Sequence, residues 1–447
     1  MSENNLLFVG TFASAKSLND LSIFGGYLAV ENGKITRIGS AKDYEAEQKT
    51  GAFANFKIIQ LNEDQFVIPG FVDCHTHAPQ FPNIGLGLDR PLLEWLAKYT
   101  FPLESRYGDT NFAAKVYDTV VKRLLNNGTT TTCYFGSLHL NGTLELAKSV
   151  AKHHQRALVG KVSMNLKNEA GYYNETAKEL AEVETFIKNV LDMKNDLVQP
   201  VITPRFAVSC DKELMSGLAD ISDAYNCLIQ SHISENQSEV EYVLQIFPQC
   251  KNYADIYDNS RILNNRCIMA HAIHLSDEEI KTLAEKGVSV AHCPASNTRL
   301  KSGLCPVRKY INNKLIVGLG TDVSGGDGSS VLEAMRRTMD VSMHLELQGH
   351  EKASLSWTEA FYLATLGGAK ALRLEEKIGS FEVGKEFDAL VIDTYAQDGP
   401  IDKYEHSSAA IEDRATSLLE KFIYLGDDRN IAQVYVNGRK VKNITMK

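Results

Sequence analysis

Val67-Ile-Pro-Gly-Phe-Val-Asp-Cys-His-Thr-His77 is the stretch on which the fold reading turns. Val67, Ile68, Phe71 and Val72 make a short apolar run, the pattern of a strand buried on both faces. Side chains on a strand repeat with period two, so His75 and His77 leave its end toward the same side. Two neutral imidazoles converging at a strand end form half of a metal site. The same spacing also arises by accident in a chain with twelve histidines. The rest of the sequence has to decide.

Downstream the pattern is apolar strand, then amphipathic helix, repeated. Seven further strand candidates follow, at 129–136, 157–165, 200–209, 227–234, 266–272, 288–294 and 315–322. Amphipathic stretches such as 109–127, 174–191, 238–247, 276–285 and 330–345 separate many of them. This alternation means a parallel sheet with right-handed crossovers. Eight such units over roughly 300 residues predict a (β/α)8 barrel of the TIM type. An open doubly wound sheet competes, but it usually carries a Gly-rich phosphate turn after its first strand. Here His75-Thr-His77 stands in that place.

The two ends read differently. Residues 1–66 and 376–447 hold short strands with hairpin signals at Asn32-Gly33 and Asn437-Gly438. They are expected to build one small β-sandwich domain around a barrel of 67–375, with two separate caps as the other arrangement. At 447 residues, 44% hydrophobic and 23% charged, the composition is that of a globular protein with one large and one smaller domain. A net charge of −9 without a Lys/Arg cluster argues against a nucleic-acid partner. No apolar stretch approaches the roughly 18 residues of a membrane span. The start, Met1-Ser-Glu-Asn-Asn, lacks a secretory leader pattern, and the eight cysteines contain no Cys-x-x-Cys. A cytoplasmic setting is therefore expected.

Chemistry on such a barrel collects where strands end at the C-terminal face. Strand one ends in His75 and His77, strand five in Ser231-His-Ile-Ser-Glu235, strand six in His271, and strand eight in Asp322. His75, His77 and His232 offer nitrogen and Asp322 oxygen, with room left for water, a set that suits Zn2+ first and iron second. Strand four carries Arg205 and no lysine to bridge two ions, so one metal per chain is expected. Lys161, on strand three, is read as a surface or barrel-filling residue. Glu235 lies three residues past His232, where it can overhang the ion as a proton shuttle; alternatively it sits in the first turn of the next helix, favoured by the dipole. His271 is a catalytic candidate or a core histidine, and Asp322 a ligand or a helix N-cap. His274, His292 and Cys293 are read as supporting or structural. The cytidine-type zinc signature is excluded: His-x-Glu occurs only as His344-Leu-Glu346, and Pro-Cys-x-x-Cys is missing.

Pro69-Gly-Phe-Val-Asp-Cys-His-Thr-His77, Ser231-His-Ile-Ser-Glu235, Met269-Ala-His271, Ala291-His-Cys-Pro-Ala-Ser-Asn297 and Gly318-Leu-Gly-Thr-Asp322 together resemble the amidohydrolase superfamily in its deaminase branch. Within it, His77-Ala-Pro-Gln80, Thr203-Pro-Arg-Phe206 and Thr321-Asp-Val-Ser-Gly-Gly326 are similar to the guanine deaminase family. The resemblance covers nearly the whole chain. It implies a homodimer that hydrolyses guanine to xanthine and ammonia with one zinc-activated water. Asp322 and His271 then accept the water's proton, and Glu235 carries a proton to ring N3 and the leaving amine. Around the purine stand His77, Gln80, Arg205, Phe206, His232, Glu235 and Asp322. Arg205, planar and all donor, suits the O6 acceptor of guanine and refuses an amine; its bland alternative is a structural ion pair. Phe206 stacks on the ring or fills the wall, and Gln80 pairs with the ring edge. Two other readings compete: a hydrolase of a triazine or adenosine-like substrate on the same scaffold, and a non-catalytic homologue. The second would have broken ligands, whereas all are present.

Overall fold

The computed structural model describes residues 5–404 and 414–443. Strands β1 (Asn5–Ser17), β2 (Asp20–Glu31), β3 (Lys34–Ser40), β4 (Lys57–Gln60) and β5 (Gln65–Pro69) come first. Then β6 (Phe71–His77), β7 (Thr129–Phe135), β8 (Arg156–Gly160), β9 (Val162–Ser163), β10 (Val198–Pro204), β11 (Leu228–Ile233), β12 (Cys267–His271), β13 (Ser289–His292) and β14 (Ile316–Leu319) run among helices. Strands β15 (Ala389–Asp393), β16 (Ile431–Val436) and β17 (Arg439–Asn443) follow.

Eight parallel strands in the order β6-β7-β8-β10-β11-β12-β13-β14, with β9 on β10, form a nearly closed TIM-type barrel. Each of the eight expected strands is present. The open seam between β14 and β6 is stitched at its top by the chain that leaves β14. Asp322 N donates to His75 O at 2.9 Å, and His77 N donates to Val323 O at 3.0 Å. Helices coat the outside with apolar stripes. The helix Thr110–Asn126, whose first turn is capped by Asp109 Oδ1 accepting from Asn111 N and Phe112 N, buries Tyr117, Val120, Val121 and Leu124 on one face.

The run 67–77, read as one strand, is two. Gln65–Pro69 pairs with β1 and β15 in the sheet of the chain ends, and the barrel strand begins at Phe71. Gly70 joins them where a Cβ would lie 2.1 Å from Thr130 Oγ1, so the backbone passes β7 at a distance only glycine allows. Both halves are apolar because both are buried, and hydropathy alone cannot separate them.

The chain ends build one hydrogen-bonded sheet in the order β17-β16-β15-β5-β1-β2-β3, with β4 on β1, and not two caps. Its hairpins turn at Asn32-Gly33 and Asn437-Gly438, all four residues at positive φ, as a type I′ turn requires. Phe8, Phe12, Leu28, Phe387 and Tyr435 gather on its apolar face. A buried ion pair fastens it to the barrel. Arg156, at the start of β8, donates from Nε to Asp388 Oδ2 at 2.9 Å and from Nη2 to Glu386 Oε2 at 2.6 Å.

Lys161 takes neither expected role. It interrupts β8 and β9, and its ammonium is wholly buried against the helix Thr176–Asp192, 2.9 and 3.0 Å from the two Glu179 oxygens. A buried ammonium needs such a partner, which the sequence does not reveal. Among the described residues no helix is long and apolar enough to cross a membrane. All eight cysteines are free.

Candidate active site

Four strand ends bring five side chains together at the C-terminal mouth. His77 Nε2 lies 3.1 Å from His232 Nε2 and 3.5 Å from Asp322 Oδ1, and His75 Nε2 lies 3.3 Å from the same oxygen. His271 Nε2 stands 3.8 Å from Asp322 Oδ2 and 3.5 Å from Glu235 Oε2. Ligand atoms of His75, His77 and Asp322, and of His75, His232 and His271, each fall within 4.8 Å of one another. Period two on β6 explains the first pair, and in the parallel register of β11 and β12 His271 lies opposite Ile233, one residue beyond His232.

Neighbouring groups fix how these rings point. His232 Nδ1 is 2.6 Å from Arg205 O, and His271 Nδ1 is 2.8 Å from Asn297 Oδ1, which assigns each proton to Nδ1 and turns each Nε2 lone pair inward. Asp73 ties β6 to the segment after β14: its Oδ1 accepts from Thr321 N at 3.0 Å, its Oδ2 from Thr321 Oγ1 at 2.6 Å. His271, Asp322 and Ser234 all hold positive φ, a cost of about 1–3 kcal/mol each that concentrates at this site.

Burial sets the charges. It pushes His75 below the usual imidazole range and His77 and His232 well below it, with neighbouring imidazoles adding to the last two. Their lone pairs are therefore free. For Asp322 burial works the other way, but His75 and then His271 outweigh it and hold the carboxyl at about 2. Glu235 is pushed well above the carboxylate range by burial, then by Asp322 and Glu239. The shift favours its protonated form.

The cavity beside these groups has two walls. Gln80, Arg205, Glu235 and Asp322 form the polar one; Leu92, Trp95, Leu96, Phe206 and Leu300 form the apolar one. His77, His232 and His271 line it as well, while His75 sits beneath. All nine residues expected at the site thus meet at this mouth. Phe206 packs with the apolar cluster of Leu92, Trp95, Leu96 and Leu300. Arg205 does form an ion pair, its Nη1 and Nη2 donating to Glu104 at 2.6 and 3.1 Å, and it faces the cavity too. Burial opposes the Arg205 charge, yet Glu104 raises its pKa overall.

Four contributors were missed by sequence reasoning. Glu104 and Trp95 come from the helical turns at 92–104, which carry no motif and reach the mouth only through the fold. Glu239 accepts from Glu235 N at 3.0 Å and closes a capping box with Asn236, a pattern visible as Asn236-Gln-Ser-Glu239. Asn297 ends the stretch Ala291-His-Cys-Pro-Ala-Ser-Asn297, whose pattern alone assigns it no partner. His274 bonds Ser302 O at 2.8 Å, and His292 and Cys293 are buried outside the cavity.

Residues 66–441 match the amidohydrolase family. The chain belongs to that family. It is 44% identical over 439 residues to guanine deaminase of Rattus norvegicus, covering 98% of this chain and 96% of that protein. Guanine deaminase of Escherichia coli (strain K12) is 35% identical over 424 residues, covering 93% and 91%. A solved guanine deaminase from C. acetobutylicum, with guanine bound in its active site, matches with a TM-score of 0.88 at 36% identity, covering 98% of this chain and 100% of that one.

As an amidohydrolase the chain presents a donor set that fits a divalent ion. His75 Nε2 is buried without a well-formed hydrogen bond, and the Nε2 atoms of His77 and His232 face each other. Neutral ring nitrogens meeting one ionised carboxylate suit a cation better than they suit one another.

Proposed function

We infer that this chain is a guanine deaminase, converting guanine and water to xanthine and ammonia. The observation that carries this reading is one cavity in which a buried Glu235 and the ligand cluster stand with Gln80 and Arg205. His75, His77, His232 and Asp322 would hold one metal ion, zinc first and iron second. Such an ion, when bound, acidifies a water to a pKa of about 7 and so supplies hydroxide at neutral pH.

The chain's own residues do the rest. Arg205 and Gln80 fix the purine by its polar edge, O6 accepting from the guanidinium. Phe206 and the apolar wall hold the ring plane and exclude water. His271, oriented by Asn297, and Asp322 take the proton that the attacking water loses at C2. Glu235 gives its proton to N3 as attack proceeds; its carboxylate then takes the water proton held by His271 and Asp322 and passes it to the amine, which leaves as ammonia, and the proton of the C2 hydroxyl returns to Glu235 as the C2 carbonyl forms. His77, His232 and Asp322 bound the same space on the side of the reacting carbon.

Several coarser expectations join this reading as proposals. A composite terminal domain around a barrel, expected as 1–66 and 376–447 around 67–375, is supported by the two sheets, with the first boundary moved to Gly70 because β5 belongs to the terminal sheet. Free cysteines suit a reducing cytoplasm. The net charge of −9 disfavours nucleic acid, and the family resemblance favours a homodimer.

The test is ammonia release by the purified, zinc-loaded protein from guanine, adenine, cytosine and an aminotriazine. Turnover of guanine well above the others is expected. Preference for any other member of the panel overturns the assignment.

A further inference from the structure

We propose that Glu104 is a positioning residue that fixes the faces of Arg205 and Gln80 presented to the cavity, and so sets which purine edge is accepted. This rests on the guanine deaminase reading and deepens it. Glu104 ends the helical turn Phe101–Glu104, is fully buried, and is not among the residues lining the cavity. Arg205 and Gln80 both line it.

One carboxylate reaches behind both. Its Oε2 accepts from Arg205 Nη1 at 2.6 Å; its Oε1 accepts from Arg205 Nη2 at 3.1 Å and from Gln80 Nε2 at 3.0 Å. The far end of the Gln80 amide is held too, because Oε1 accepts from Ser324 N at 3.3 Å. A flipped amide would set oxygen against the Glu104 carboxylate and NH2 against the Ser324 N–H. Both contacts are then like against like, so only one orientation survives. The fork to Glu104 uses one N–H on each Arg205 Nη and fixes the guanidinium plane, which also lies over Phe101 at 5.1 Å. The donors left over can point only where that plane directs them.

The pair has a second consequence. Arg205 reaches the cavity as a neutralised ion pair rather than a bare cation. That favours a neutral acceptor such as a lactam oxygen over an anion, and it gives an exocyclic amine nothing to accept it. A carboxylate that served only to bury Arg205 would have no reason to hold Gln80 as well.

The experiment compares guanine with 2,6-diaminopurine, which keeps the C2 amine and replaces O6 by an amine. Full-length, zinc-loaded E104Q keeps the shape but turns an NH2 toward the donors of Arg205 or Gln80. KM for guanine should rise by about tenfold or more, kcat should fall less, and the preference for guanine over 2,6-diaminopurine should drop by about tenfold, with metal content unchanged. E104D keeps the charge and shortens the reach; it should fold even where E104Q does not, and shift the preference in the same direction. A soluble variant that keeps the parent's preference, or loses both substrates equally through kcat, overturns the positioning role. A parent protein that leaves guanine untouched rejects the function itself, a result separable from the first.

Discussion

Replacing Glu235 by glutamine should remove most turnover and leave the fold and the metal in place. The size of each effect follows from the surroundings of this side chain. Glu235 lies 3.5 Å from His271 and is buried, and burial, then Asp322 and Glu239, push its pKa well above the carboxylate range, which favours the protonated form. Glutamine matches the favoured protonated form in charge and shape. Its main chain stays held by Glu239, which accepts from Glu235 N at 3.0 Å. Stability should therefore change by less than about 1 kcal/mol, the scale of a single neutral hydrogen bond. Proton transfer is another matter. An amide cannot deliver a proton to N3, and a positioned general acid contributes about 10²–10⁴-fold, or about 2.7–5.4 kcal/mol of barrier. The assay is steady-state guanine deamination beside metal content and a denaturant midpoint. Turnover within about twofold of the parent, or a variant that no longer holds its ion, would refute the assigned role.

Arg205→Ala should hurt guanine far more than 2,6-diaminopurine, and it strands the buried Glu104 carboxylate, so a loss of about 3–5 kcal/mol should show in the denaturant midpoint. Asn297→Ala removes the acceptor that orients His271, and kcat should fall by about 10–100-fold in stopped assays without unfolding. Gly70→Ala forces a methyl against Thr130, and chemical denaturation should register a loss of about 1–3 kcal/mol with the guanine KM unchanged.

How much the sequence revealed depends on the range of the physics involved. Period two makes His75 and His77 neighbours on β6, and strand-helix alternation puts His232, His271 and Asp322 on the same face. These are local rules, legible without coordinates. Glu104 obeys no local rule: it is separated from Arg205 by a hundred residues and meets it only because the 92–104 turns fold over the mouth. Lys161 escapes for a similar reason, since its partner Glu179 lies on the helix Thr176–Asp192, which packs against β10. The split at Gly70 was hidden because burial makes both flanking strands equally apolar. Glu239 was within reach, because its capping box is a sequence pattern.

The central claim, a guanine hydrolase built around one ion, is tested most directly by reconstitution. The protein is stripped with a chelator, titrated with Zn2+, and assayed for xanthine at each step. Activity should be absent from the stripped chain and rise linearly to a plateau at about one zinc per chain, the number that three histidines and one aspartate can hold. A plateau at two equivalents, or xanthine formed by the stripped protein, would contradict it.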